Sequence, residues 1–327
     1  MLRRFLPSVV AHTPSDWAEV VVADNGSTDD SLSVLTDEFP TVRIIRLDRN
    51  YGFAEGYNRA LQQVSSDYSV LLNSDVAVTA GWLKPMLTYM DAHPEVAACQ
   101  PKILSWHSLQ KGDSPVMFEH AGAAGGKMDA LGYPFCRGRI LGYVEADKGQ
   151  YDTIESVFWA SGAALCIRTE VYKQTGGLDA DFFAHMEEID LCWRLQCRGY
   201  RLVCVPQSVV YHVGGGALAY TSPRKTYLNF RNNLLMLYKN LPALRLFWVL
   251  LCRLVLDYVA AMQFLLTGQA AHAGSVVKAR WDFLKMAGTP VMHDRRKQNL
   301  RAAVVDYPQT IESRSILFDY YFRRLRK

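Results

Sequence analysis

The sequence predicts an open, mostly parallel α/β sheet with helices on both faces, followed by a helical extension. Three observations carry this. The first 100 residues alternate short apolar runs with amphipathic stretches, the pattern of successive βα units. From Tyr227 onward the pattern is helical throughout. Apolar runs also end in polar residues at Asp24, Asp75 and His212, and ligands of open α/β sheets collect outside the carboxyl ends of strands.

Taken in order, EVVVAD (Glu19 to Asp24) reads as a buried strand, and Ser27 to Asp30 offers capping groups for the helix after it. VRIIRL (Val42 to Leu47) is the next strand and Phe53 to Val64 the next helix. YSVLLN forms a third strand, followed by a helix from Thr79 to Ala92 that stops before Pro94. Residues 105–150 are glycine-rich and irregular, as segments that line or cover a site often are. Phe158 to Ile167 reads as a strand. MEEIDLCWR opens a helix that stops at Gly199, a good residue just past a helix end, and YRLVCVP returns to the sheet.

At 327 residues, half of them hydrophobic and 21% charged, the chain can hold one large domain with an appendage. No apolar, small-residue leader opens it, so no secretory signal is expected. The seven cysteines are scattered, without a C-x-x-C pair, which fits a reducing cytoplasm. The net charge of +4 conceals an asymmetry. From Arg224 to Lys327 there are 18 Lys and Arg against 6 Asp and Glu, a balance of +12; the preceding 223 residues hold 18 against 26, or −8. A basic tail on an acidic body suits an anionic partner. No zinc-finger spacing, helix-turn-helix or aromatic RNA-binding signature accompanies the charge, so nucleic acid is not expected. No G-x-G-x-x-G follows a strand, which argues against a nicotinamide enzyme.

Asp75, in the turn Asn73-Ser74-Asp75 after an apolar strand, is placed to hold Mg²⁺ or Mn²⁺, ions that take one or two carboxylates and draw other ligands from substrate phosphates and water. Glu187, Glu188 and Asp190 begin a helix, where one carboxylate can act as a general base. Asp190 and Arg194, at i,i+4, suit a structural pair instead. His212, before Gly214-Gly215-Gly216, can complete a metal or phosphate shell. Asp24, Asn25 and Ser27 follow one strand; Arg49, Asn50 and Gly52 follow another, before a helix start that can hold an anion. Asn58, Asn73 and Ser74 complete the expected donor-binding set.

The succession VVADNGSTDDS, RNYGFAEGYNRAL, LLNSDV, GWL, FWASGAALCIRTEVYKQTGGLD, MEEIDLCWR and YHVGG resembles family 2 glycosyltransferases, and within them the bacterial rhamnosyltransferase-like branch, over roughly residues 1–240. The resemblance implies a GT-A nucleotide-sugar domain over residues 1–223 and a basic helical tail over 224–327. It implies a metal held by Asp75 and His212. It makes the second acid of the pair, Glu188, the base, with Glu187 beside it, where the family usually has Glu-Asp. It places Trp159, Ser161 and Gly162 in the sugar and acceptor pockets. Members normally open with an apolar strand, central in the sheet, that this chain lacks before LRRFLPSVVAHT; either the sheet closes over the gap or the native protein begins upstream of Met1, and the second is expected.

The implied reaction is metal-assisted, inverting transfer of a sugar, rhamnose foremost, from a dTDP- or UDP-linked donor to a glycan or lipid-linked acceptor in cell-surface polysaccharide synthesis. A truncated, non-catalytic binder of nucleotide or glycan is the alternative. In the tail, Leu244 to Leu266 is 23 residues long and mostly apolar but carries Arg245, Arg253 and Asp257. Arg253 and Asp257 can pair on one face. Trp248 and Tyr258, with Lys239, Lys278, Arg280 and Lys285, suit a helix lying on the inner, cytoplasmic face of a membrane.

Overall fold

The computed structural model describes residues 1–214 and 222–323; Gly215 and Gly216 of the glycine run and the last four residues lie outside the described residues. After helix α1 (Leu2–His12), strands β1 (Val21–Asp24) and β2 (Arg43–Arg46) flank α2 (Ser31–Glu38). Helix α3 (Gly52–Leu61), β3 (Tyr68–Leu72), β4 (Val76–Val78), α4 (Leu83–Ala92) and β5 (Val96–Ser105) follow. Residues 105–150 hold α5 (Trp106–Lys111) and a four-stranded antiparallel sheet of β6 (Gly126–Met128), β7 (Pro134–Cys136), β8 (Arg139–Ile140) and β9 (Tyr143–Val144). Then come β10 (Glu155–Ser156), β11 (Ala164–Arg168), α6 (Thr169–Gln174), α7 (Glu187–Cys197) and β12 (Arg201–His212). The chain continues as α8 (Pro223–Asn240), α9 (Ala243–Leu266), α10 (Ala270–Ala287), α11 (Pro290–Ala302) and α12 (Ile316–Tyr321).

The central sheet runs β10-β12-β5-β11-β3, with β4 added on β12. It is mixed rather than mostly parallel: β5 and β12 are parallel, whereas β11 runs antiparallel to both β3 and β5. Strand β11 reaches the sheet after the long irregular segment and is not the product of a tight βαβ crossover, so no handedness rule forces it parallel. Strands β1 and β2 form a separate parallel pair. Among the described residues β1 pairs with β2 alone and β3 with β11 alone, and the sheet does not close between them.

Two expected elements differ. Residues 158–163 are irregular, and the strand begins only at Ala164, because Ser161 turns the chain: its backbone N–H donates to Gln100 and its hydroxyl accepts from Ala163 N. The YRLVCVP and SVVYH runs instead join as one 12-residue strand, which absorbs Pro206 at an irregularity between Val205 and Val209.

Candidate active site

Register brings the first pair together. Strand β4 lies antiparallel to β12 with Val76 opposite His212, so Asp75, one residue before β4, meets the end of β12. Val213 N donates to the Asp75 carbonyl at 3.2 Å, and Asp75 Oδ1 lies 3.1 Å from His212 Nε2. Both side chains are buried. The other ring nitrogen, Nδ1, is 3.3 Å from Glu119 Oε2, a residue in the irregular segment that no sequence motif marked. Burial works to lower the His212 pKa, but hydrogen bonds to Asp75 and Glu119 override it and raise it to about 9.

These residues fit a divalent cation. A carboxylate and an imidazole nitrogen share one point, and a carboxylate on the far ring nitrogen orients the imidazole, as metal-binding histidines commonly require. Among the described residues no group of three or more His, Cys, Asp or Glu is arranged to hold a metal, so Asp75 and His212 would leave the remaining positions to phosphate and water.

The second feature is the start of α7. Phe183, His185 and Met186 all adopt positive φ, at 63°, 70° and 74°, although none is glycine. Each such residue costs on the order of 1–3 kcal/mol and persists only where its surroundings impose it. The loop delivers Glu187 and Glu188 into an apolar setting. Burial, with the Glu188 charge added, drives Glu187 well above the ordinary carboxylate range. Burial raises Glu188 to about 7, against backbone hydrogen bonds that oppose the shift. Glu187 Oε2, Glu188 Oε2 and His185 Nε2 are buried without a hydrogen-bond partner, as a site awaiting hydroxyl groups would leave them. Asp190 is fully engaged elsewhere, with Arg194 Nε and Lys239 Nζ each at 2.9 Å and Asn240 Nδ2 at 2.9 Å, a structural role.

The donor loops meet this helix. Phe53 N donates to Phe183 O at 2.9 Å, and a Cβ on Gly52 would fall 2.6 Å from the Phe183 ring. A Cβ on Gly162 would lie 3.3 Å from the Phe53 ring and 3.7 Å from Glu188 Cβ. Glu188, Gly162 and the Gly52 turn therefore share one neighbourhood. Asn73, at the end of β3, donates through its backbone to Ala163 O at 3.1 Å and places its amide 3.5 Å from His212 Nε2, with Ser74 in the same turn.

Other expected donor residues are spent inside the protein. Asn25 pins two loops, accepting from Tyr51 N and donating to Gly52 O at 2.8 Å; Asn50 accepts from Gly52 N at 2.8 Å. Asp24 accepts from Ser27 N at 3.2 Å, and Arg49 stacks over Tyr51. Asn58 takes a structural position: its amide accepts from Tyr172 OH and Leu178 N and donates to Leu178 O. Trp159 and Ser161 are walls rather than contact surfaces. Trp159 is buried against Gly126 and donates to Lys127 O, while the Ser161 hydroxyl donates to Ala121 O.

A model of the family described as "Glycosyl transferase family 2" matches residues 1–131. N-acetylglucosaminyl-diphospho-decaprenol L-rhamnosyltransferase of Mycobacterium tuberculosis is 28% identical over 222 residues, covering 64% of this chain and 71% of the relative. The solved structure of Staphylococcus aureus TarS (residues 1–349) in complex with UDP-GlcNAc superposes with a TM-score of 0.55 at 16% identity, covering 92% of this chain and 85% of that one. GalNAc-T7 with UDP, GalNAc and Mn²⁺ gives a TM-score of 0.55 at 17% identity, covering 73% of this chain but only 45% of the other. The fold is that of the GT-A nucleotide-sugar glycosyltransferases. The chain is similar to family 2 of these enzymes over residues 1–131, and to a rhamnosyltransferase over 222 residues.

Proposed function

We propose that the chain transfers rhamnose from dTDP-rhamnose, with inversion, to a glycan or lipid-linked acceptor, in a reaction that depends on Mg²⁺ or Mn²⁺. The observation that carries the chemistry is the placement of a carboxyl titrating near 7, Glu188, beside Gly162 and the Gly52 turn, on a helix separate from the Asp75–His212 pair. Asp75 and His212 would hold the cation, which when bound offsets the charge that develops on the departing diphosphate. Glu188 accepts the acceptor hydroxyl proton as that oxygen attacks the anomeric carbon. Glu187, which burial and the neighbouring Glu188 charge push well above the ordinary carboxylate range, stands beside it as an acceptor-binding side chain. Rhamnose and a lipid-linked acceptor rest on the mycobacterial relative's name; a divalent metal is supported by the Mn²⁺ in the GalNAc-T7 structure.

The same reading places the enzyme at the inner face of the cell membrane, on the cytoplasmic side. Helix α9 is long and apolar enough to cross a membrane by length and composition. It presents Phe247, Trp248, Leu251, Val255, Val259 and Met262 outward at helical spacing, and α10 adds Val277, Trp281 and Leu284. Trp248 and Trp281 are 57% and 60% exposed. The central charges of α9 face inward: Arg253 is buried, 3.2 Å from Asp257, which Arg280 meets at 2.6 Å. Arg280 and Lys239, expected at the lipid surface, are instead inside the protein, while Lys278 and Lys285 remain outside beside the aromatic face. Such a face lies in the interface rather than spanning it.

A panel of dTDP- and UDP-sugars, assayed for metal-dependent release of nucleoside diphosphate, tests the reaction. Release from dTDP-rhamnose ahead of the UDP-sugars is expected, and no release from any donor with either metal overturns the proposal. Flotation with anionic vesicles tests the location: binding that falls with salt is expected, resistance to alkaline carbonate means a spanning segment, and no binding at any salt removes the membrane from the reading.

A further inference from the structure

Helix α8 lies beyond the residues matched by the family model, yet it grips the loop that aims the catalytic helix. Asn232 is fully buried in α8, and its Nδ2 donates to three consecutive-loop carbonyls: Phe182 O at 2.9 Å, Ala184 O at 2.9 Å and His185 O at 2.8 Å. Its Oδ1 accepts from Arg231 Nε at 2.9 Å, and Arg231 Nη2 donates to Asp181 O, also at 2.9 Å. A donor on one end of the amide and three carbonyls sharing the two hydrogens on the other leave a single orientation of the side chain. The gripped carbonyls belong to the segment in which Phe183, His185 and Met186 hold left-handed backbone. That conformation needs something to impose it, and Asn232 is the side chain placed to do so.

We propose that Asn232 is a positioning residue for the transfer: through the Phe182–Met186 loop it sets where Glu188 points, and so governs turnover rather than donor affinity. The proposal rests on the reading of Glu188 as the base. No alanine can replace the grip, and an aspartate of the same shape would turn an acceptor toward three acceptors.

The test uses Asn232→Ala and Asn232→Asp in the full chain, alone and combined with Glu188→Gln, on whichever donor of the panel releases nucleoside diphosphate. Displacing a base by a fraction of its contact distance costs up to about 100-fold in rate. The expected results are a loss in kcat of about 10- to 100-fold, a shifted acid limb in the pH profile, and affinity for dTDP or UDP with Mn²⁺ held within about two-fold by calorimetry. Amide hydrogen exchange should quicken across residues 182–188. In the Glu188→Gln background, Asn232→Ala should change turnover by less than about two-fold, since both act through one group. Unchanged kcat, unchanged exchange, an equal fold loss in both backgrounds, or loss of nucleotide binding together with turnover in both variants would each overturn the positioning role. Full turnover in Glu188→Gln alone would instead sink the base assignment, and is read independently of Asn232.

Discussion

At the scale of single residues, the site separates two neighbouring glutamates by environment. Burial pushes Glu187 well above the ordinary carboxylate range and lifts Glu188 to about 7, within reach of a working base. Turnover should therefore rise as pH climbs through about 7, because only the ionised Glu188 can accept a proton. Glu188→Gln should cut turnover by roughly 10²–10⁴ with donor affinity nearly unchanged. The same shift has a stability sign. Between its unfolded value near 4.5 and its folded value near 7, the folded protein keeps a proton that the unfolded chain has lost, so stability falls as pH rises across that window. Glu188→Gln should thus raise the melting temperature at pH 8 and leave it unchanged at pH 4, which a scan at both pH values decides. Asp75→Ala, which removes a buried carboxylate beside His212 but no large side chain, should abolish Mn²⁺-dependent donor binding while the fold persists; unchanged calorimetric affinity would remove Asp75 from the metal site. His212 and the two glutamates could be singled out in the sequence because they end a strand or start a helix, and Asp75 because it lies in the turn after an apolar run. Glu119 was not, since it lies in irregular chain where no period marks which side chain turns inward.

At the scale of elements, α8 is tied to the catalytic region by buried polar groups. Leu228, Asn232, Leu235 and Lys239 follow one helical face, so polar side chains occupy core positions. Lys239 was expected at a membrane because it is a basic residue flanking the apolar stretch Leu244 to Leu266. It lies instead between Asp179 at 2.5 Å and Asp190 at 2.9 Å. Burial alone would raise Asp179, but Lys239 and then Arg295 hold it down at about 2. Lys239→Met should leave two buried carboxylates short of a partner and cost about 3–5 kcal/mol, read as a lowered urea midpoint. Because a depressed carboxylate stabilises above its unfolded pKa and loses that contribution as pH falls toward about 2, the variant should also unfold at a higher pH in acid titration. The helix boundaries around these groups were readable: Gly199, at φ 89°, stands just past α7.

At the scale of the whole molecule, the α/β order of the first 100 residues was legible from alternation alone, but strand direction was not. Local pattern marks where a strand lies, and pairing across dozens of residues decides which way it runs. The β1–β2 pair stands apart from the central sheet, which leaves edges of β1 and β3 unpaired among the described residues. Amide exchange should be faster in β1 and β3 than in β5 and β12, which have neighbours on both sides; equal protection would mean the edges are covered.

The Arg253–Asp257–Arg280 cluster has a consequence for biosynthesis. A ribosome delivering Leu244 to Leu266 to an insertion channel offers a segment apolar enough to be sampled by lipid, yet it would carry Arg253 and Asp257 before Arg280, Tyr133 and Asn233 have arrived at their sides. Each central charge then weighs against lateral release by about 2.5–3.5 kcal/mol. Were α9 offered to such a channel, the groups that knit it to its own domain would therefore also be a signal against its release into lipid. Replacing both with leucine would remove that signal and the internal cluster in a single step.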